Sequence, residues 1–271
     1  MKITFIGAGS MAEAMIAGWS QLKEPPEITV TNRSDDEKLE RLEKTYGIHT
    51  SRSMSALVDA DFIFAACKPK DWEEAVYPFL QSASSSTVFV SVMAGITLDS
   101  LKQLDPSKSW ARSMPNTSAA VQASMTSISF DKTVPDSKKT DLLHLLKEIG
   151  ETAVIEESIM DAVTALTGTG PAYIYYLMES MEKAAANIGI PESIGRNLVA
   201  QTLIGASRRV QAEEKTPKEL YTQIMSPGGT TEAGFHVLQD RGVQEALIAC
   251  ITRAHERAGE LGARQPAEKT D

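Results

Sequence analysis

Ile3-Thr4-Phe5-Ile6-Gly7-Ala8-Gly9-Ser10-Met11-Ala12 carries the chain from a short apolar run, across two glycines, into a helix start. That order fits the G-x-G-x-x-G/A turn that joins the first strand of a dinucleotide-binding fold to its first helix. Gly7 permits the tight turn, Gly9 lets backbone approach a pyrophosphate, and Ala12 allows the helix to pack closely on the strand. The unpaired N–H groups of the first helical turn then face the phosphates. A plain glycine turn has the same spelling. The position after a first strand, and the pattern that follows, favour the dinucleotide reading.

Beyond this turn, β-branched apolar runs alternate with helical stretches. The runs are Ile3–Ile6, Ile28–Thr31, Phe62–Ala65 and Val88–Val92, and helices are expected from near Ser10, Asp35, Ser53 and Asp71. Such alternation predicts parallel βαβ units with right-handed crossovers. Further strands are expected near Trp110, Ser127 and Ala153, around a helix over Asp136–Ile149. After about Glu157 the texture changes. Ile174, Leu177, Met178, Met181, Ala185 and Ile188 recur at helical spacing between Pro171 and Gly189, and Pro191 opens a second long helix. Thr216-Pro217-Lys218-Glu219 reads as a capping box with proline at the first helical position, and Val243 to about Leu261 as a last helix. The expected fold is α/β: an N-terminal Rossmann-type doubly wound sheet over residues 1–157, then an all-helical domain over 158–271.

The second strand ends in Asn32-Arg33-Ser34. Sites for NAD usually place a carboxylate there to accept from the ribose hydroxyls. An amide, a guanidinium and a hydroxyl instead donate, and Arg grips a 2′-phosphate with a bidentate fork. NADPH is therefore expected, with NADH a weaker alternative. Asp35 and Asp36 complicate that reading, but they also suit the start of a helix.

Two other stretches combine hydroxyls and glycines ahead of helices: Thr167-Gly168-Thr169-Gly170-Pro171 and Ser226-Pro227-Gly228-Gly229-Thr230-Thr231. Both read as helix N-termini able to capture a carboxylate. Each alone is equally well a capped loop.

The composition narrows the partners. With 27 basic and 36 acidic residues the formal net charge is −9, which argues against nucleic acid and anionic membrane. An anionic substrate must then be met by local groups. The two cysteines, Cys67 and Cys250, form no C-x-x-C pair and no disulfide framework, so a reducing compartment is expected. No apolar run approaches the roughly 18–20 residues that span a bilayer, and the N-terminal run is too short for a signal peptide. A cytoplasmic protein follows. The four histidines (His49, His144, His236 and His255) lack metal-type spacing, so no metal is expected.

Over essentially its whole length the sequence resembles the pyrroline-5-carboxylate reductases. The resemblance rests on Gly7–Ala14, Lys68-Pro69, Ala94-Gly95, Arg112-Ser113-Met114-Pro115-Asn116-Thr117, Asp161–Tyr173 and, most specifically, Ser226–Gly234. It implies NADPH-dependent reduction of a small cyclic imino acid to proline. It also implies that Gly7, Ala8, Gly9, Ser10, Met11, Ser34, Ala66, Cys67, Lys68, Pro69, Met93, Ala94 and Gly95 line the cofactor. Ser226, Gly229, Thr230 and Thr231 would hold the substrate carboxylate, with the Thr231 hydroxyl near the imine nitrogen. The helical domain would interlock two subunits, with active sites at that interface, and dimers could build a larger ring. Two departures are visible. Thr167 and Thr169 stand where the family commonly has serine, and Met54 stands where some members have a ribose-contacting asparagine. Lys68 invites comparison with the base of a β-hydroxyacid dehydrogenase, but its place after the fourth strand suits a cofactor loop. The competing readings are another imine or β-hydroxyacid reductase of the same plan, and a silent NADP-binding regulator. The first would not carry Ser226–Thr231 in this form, and the second would show losses there or in the glycine turn.

Overall fold

The computed structural model describes residues 1–262. One sheet contains β1 (Lys2–Ile6), β2 (Glu27–Thr31), β3 (His49–Thr50), β4 (Phe62–Ala65), β5 (Val88–Ser91), β6 (Ser109–Met114), β7 (Ser124–Phe130) and β8 (Gly150–Val154). Their spatial order is β3-β2-β1-β4-β5-β6-β7-β8. Strands β1 to β6 are mutually parallel, β7 runs antiparallel to β6, and β8 is parallel to β7. The first six strands have the order of a dinucleotide-binding sheet, whose ligand crevice opens where the winding reverses, between β1 and β4. The helices of this part are α1 (Ser10–Trp19), α2 (Asp36–Tyr46), α3 (Met54–Val58), α4 (Trp72–Ser82), α5 (Leu98–Leu104) and α6 (Asp136–Lys147).

Side chains alternate between the faces of a strand, and the central strands are apolar on both. Ile3, Phe5, Phe62, Phe64, Val88 and Val90 face one core with Met15, Ile16 and Trp19 of α1, Leu39 and Leu42 of α2, and Leu142 and Leu146 of α6. Ile6, Ile63, Ala65, Phe89 and Trp110 face the other with Leu57 of α3, Trp72, Val76 and Phe79 of α4, and Leu101 of α5. Strands hidden on both faces need helices on both, which is the doubly wound arrangement. The fully buried Trp19 ring packs on Phe5 and Phe64, and its indole N–H donates to Leu145 O at 2.8 Å. Each such side chain contributes about 1.5–3 kcal/mol by leaving water.

Beyond β8 no further strand occurs among the described residues. The helices are α7 (Met160–Val163), α8 (Gly170–Asn187), α9 (Glu192–Ala212), α10 (Pro217–Gln223), α11 (Thr230–Asp240) and α12 (Val243–Gly262). The capping box expected at Thr216 forms: its side chain accepts from Glu219 N, and the Glu219 carboxylate accepts from Thr216 N. The described residues divide into two compact units, one of residues 1–171 with residues 254–262, the other of Ala172–Arg253. Within the second unit the buried apolar residues are Ala185, Val199 and Leu220. Tyr176 is 71% exposed, Ile188 75% and Val237 58%, and Ile174, Tyr175, Leu198, Ile204 and Ile248 are exposed with them. No helix among the described residues is long and apolar enough to cross a membrane.

Three local features differ from the sequence reading. The two-residue strand β3 and the helix α5 were not expected. Thr167–Pro171, read as an open helix N-terminus, is instead wound into the helical chain. Thr164–Gly168 forms a π-helical turn directly after α7, with Thr169 N donating to Thr164 O at 3.0 Å. Thr164, Thr167 and Thr169 donate their hydroxyls to the carbonyls four residues back, at 2.8, 3.1 and 2.7 Å. Those hydroxyl protons are given to the backbone.

Candidate active site

The turns that follow β1, β2, β4 and β5 lie side by side because their strands do. Gly7 N–H donates to Thr31 O at 2.8 Å, Ala66 N–H to Ile6 O at 2.9 Å, and Val92 N–H to Ala65 O at 3.1 Å. The two glycines of the first turn do different work. Gly7 has φ +107°, and a Cβ on it would fall 2.6 Å from Ala66 O and 2.9 Å from Cys67 N. Only glycine lets the β1 turn sit against the β4 turn. Gly9 has an ordinary φ of −71°, and a Cβ there would meet nothing of the protein nearer than Ala66 O at 3.7 Å. The fold does not need a glycine at this position. What the missing side chain does is leave the start of α1 open, and no side chain caps that helix. Exposed Gly9 and Ser10 and half-buried Met11 therefore present unpaired amides in the crevice, as a pyrophosphate requires. Ala8 is buried beneath them.

Ala66–Pro69 and Met93–Gly95 complete the crevice rim. The Cys67 thiol donates to Met93 Sδ at 3.6 Å, joining the two loops. Burial pushes that thiol up to about 11, so it is neutral at physiological pH and no nucleophile. Lys68 is exposed at the head of a short 3₁₀ turn, Pro69–Asp71, that leads into α4. Among the described residues no group of His, Cys, Asp and Glu is placed to hold a metal ion.

At the end of β2 the structure sorts the residues read as donors. Asn32 is turned into the local backbone: its amide donates to Asp35 O at 2.7 Å and its oxygen accepts from Asp35 N at 3.1 Å. Arg33 and Ser34 stay exposed. Asp35 caps α2 by accepting from Lys38 N at 2.9 Å, as its place in the sequence suggested. Asp36 pairs with Arg52, a residue the sequence reading passed over, at 2.6 Å. The signal for Arg52 was a cation just after His49-Thr50, and it becomes legible only once β3 is known to lie beside β2.

The Arg112–Thr117 motif clamps the segment after β8. Arg112 is 2% exposed in the middle of the sheet, and donates to Glu157 Oε1 at 3.3 Å and to Asp161 Oδ1 at 2.9 Å. The same Glu157 oxygen accepts from Leu98 N at 2.6 Å, the first amide of α5, three residues past Gly95. Arg112 Nε is buried without a partner. Asn116 Nδ2 donates to Thr167 O at 3.0 Å. That carbonyl lies four residues before Pro171, which has no N–H to offer it, so the asparagine replaces a helical hydrogen bond that proline removes.

In the second unit, Ser226–Thr231 forms the approach to α11. Gly228 takes φ +72° and Gly229 N–H donates to Ser226 O at 2.9 Å, closing a tight turn. The Ser226 hydroxyl folds over Gly229, where a Cβ would lie 2.6 Å from Oγ. Glu232 accepts from Gly228 N at 2.7 Å, and the Tyr221 and Phe235 rings, 4.7 Å apart, brace α10 against α11. No side chain caps α11. The amides at Thr230 and Thr231 are open, and the hydroxyls of Ser226, Thr230 and Thr231 make no hydrogen bond among the described residues. A carboxylate placed there meets amides, hydroxyls and the positive end of a helix together. The structure thus brings the residues expected to line a cofactor together on the first unit, and Ser226, Gly229, Thr230 and Thr231 together on the second.

Comparison with known proteins agrees with this geometry. Residues 2–95 match the family described as NADP oxidoreductase, coenzyme F420-dependent, and residues 157–261 match pyrroline-5-carboxylate reductase dimerisation. The chain is 40% identical over 267 residues to pyrroline-5-carboxylate reductase 2 of Bacillus subtilis, covering 96% of this chain and 95% of that one. A solved 1-pyrroline-5-carboxylate reductase from Streptococcus pyogenes superposes with a TM-score of 0.86 at 29% identity, covering 96% of this chain and 98% of that one. The fold is also that of a Plasmodium falciparum pyrroline carboxylate reductase solved with NADP bound, at a TM-score of 0.85, 24% identity and coverage of 97% and 98%. Identity that runs nearly end to end, with a matched dimerisation region over residues 157–261, places this protein in the pyrroline-5-carboxylate reductase family.

Proposed function

We propose that the protein reduces 1-pyrroline-5-carboxylate to L-proline with NADPH, the last step of proline biosynthesis, as a cytoplasmic homo-oligomer. The observation that carries the reading is the uncapped N-terminus of α11, with three unspent hydroxyls around it, in a chain whose global charge of −9 would otherwise repel an anionic substrate. Bound at the crevice between β1 and β4, NADPH supplies a hydride. The residues of the chain do the rest. Amides at the start of α1 hold the pyrophosphate, Arg33 and Ser34 donate to the 2′-phosphate, and Asn32 shapes their turn. Ala66, Cys67, Lys68, Pro69, Met93, Ala94 and Gly95 line the nicotinamide half. Ser226, Gly229, Thr230 and Thr231 hold the substrate carboxylate.

Reduction would place that hydride on the imine carbon and a proton on the nitrogen, giving proline. The Thr231 hydroxyl donates a hydrogen bond to the imine nitrogen, which raises the electrophilicity of its carbon, and solvent provides the proton. The transfer requires donor and acceptor about 3–3.5 Å apart in aligned geometry, so positioning is the main catalytic contribution. We assign residues 1–157 to cofactor binding and 158–271 to substrate binding and dimerisation. The exposed apolar residues of α8, α9, α11 and α12 are the surface that a second copy covers, in a dimer or a ring of dimers.

Thr231→Val tests the reading, because it keeps the shape and removes only the hydroxyl. One preorganised donor lost from a developing charge lowers kcat/KM by about 10–10³-fold, while NADPH affinity stays at the parent value. Near-normal turnover of 1-pyrroline-5-carboxylate would reduce Thr231 to a helix-start residue and give the nitrogen's partner to water.

A further inference from the structure

Arg52 lies outside the stretches that carry the family resemblance, yet it grips both ends of the turn after β2. Its Nε and Nη2 donate to Asn32 O at 3.4 Å and Asn32 Oδ1 at 3.2 Å, and Nη1 reaches Asp36 Oδ1 at 2.6 Å. Asn32 and Asp36 bracket Arg33 and Ser34, the exposed donors of the turn. A carboxylate at this end of β2 is the device by which dinucleotide sites reject a 2′-phosphate. This chain carries two, Asp35 and Asp36. Asp35 accepts from the α2 backbone at Lys38. Asp36 has a side chain 70% exposed, and Arg52 is its ion-pair partner.

We infer that Arg52 is a positioning residue for NADPH selection: it neutralises Asp36 and fixes Asn32, so that Arg33 and Ser34 meet a 2′-phosphate without an uncompensated carboxylate beside it. The inference rests on the NADPH reading above and makes it finer. A pair this exposed contributes little to folding, so its effect falls on the charge of the ligand. Three of the five guanidinium N–H groups are engaged, which leaves two directed by the same anchored fork.

The test uses the full-length protein and two probes of the adenosine half, 2′,5′-ADP and 5′-ADP, titrated calorimetrically. The parent should bind 2′,5′-ADP more tightly than 5′-ADP. Arg52→Gln should weaken 2′,5′-ADP by about tenfold, the scale of one uncompensated charge near the surface, and leave 5′-ADP within about twofold. Adding Asp36→Asn to Arg52→Gln should restore most of the lost affinity, because the carboxylate that Arg52 masked is then gone. The inference is overturned if Arg52→Gln keeps the parent's ratio of 2′,5′-ADP to 5′-ADP affinity. Parallel loss of both probes would overturn it too, since that is the mark of a misfolded turn. So would a double variant as weak as the single one. A parent that binds both probes equally is a separate failure, and removes the NADPH reading itself.

Discussion

Gly7→Ala and Gly9→Ala change the same turn by the same methyl group, and the structure gives them different causes of failure: lost stability at Gly7, a blocked ligand at Gly9. At Gly7 the backbone has φ +107°, and the added Cβ would lie 2.6 Å from Ala66 O, 2.8 Å from Ala66 C and 2.9 Å from Cys67 N. All three are backbone atoms at the end of a central strand, so no side chain can swing away. The left-handed conformation costs an alanine roughly 1–2 kcal/mol, and overpacking adds about 1–3 kcal/mol. Gly7→Ala should therefore lose about 2–5 kcal/mol of stability and bind NADPH poorly, because the turns after β1 and β4 are forced apart. At Gly9 the nearest atom would be 3.7 Å away and φ is unexceptional. Gly9→Ala should unfold within about 1 kcal/mol of the parent, the scale of an alanine at a helix cap. Its methyl group instead projects into the place of the pyrophosphate, so NADPH affinity should fall at least about tenfold. Urea unfolding at one fixed protein concentration measures the first quantity, and titration of NADPH fluorescence the second. A Gly7→Ala protein as stable as the parent, or a Gly9→Ala protein with unchanged affinity, would refute the division of labour between the two glycines.

Two further outcomes follow from the same geometry. Arg33→Ala should weaken NADPH by about 1.5–3 kcal/mol, the range for hydrogen bonds to a charged group, and leave NADH nearly untouched; equal losses in paired titrations would sink the assignment. With Ala185, Val199 and Leu220 as the buried apolar residues of the second unit, unfolding should shift to higher denaturant as protein concentration rises. A fully active monomer by light scattering at micromolar concentration would contradict the proposed assembly.

What could be read from the sequence followed from periodicity. Ile3–Ile6, Phe62–Ala65 and Val88–Val92 are short, β-branched or aromatic, and bounded by turns, so the strands buried on both faces announced themselves. The capping box at Thr216 and the proline at 191 marked helix boundaries for equally local reasons. The misses were features whose cause is long-range. His49-Thr50 is too short to show a period, and its strand exists because β2 offers an edge; Arg52 stayed hidden with it. Thr167–Pro171 has the composition of a loop, yet Asn116 supplies the hydrogen bond that Pro171 removes and the chain stays helical. Arg112 could be quoted as a motif, but its grip on Glu157 and Asp161 needed the fold. Ser226–Thr231 was legible because helix-start chemistry is written in consecutive residues.

The most direct test is a stoichiometry. Purified protein is mixed with 1-pyrroline-5-carboxylate and limiting NADPH, the absorbance of the cofactor is followed to completion, and proline is quantified by chromatography. One proline should form for each NADPH oxidised, and NADH at the same concentration should react more slowly. Cofactor oxidised without proline, or no oxidation with this substrate in a protein that binds NADPH, would contradict the account.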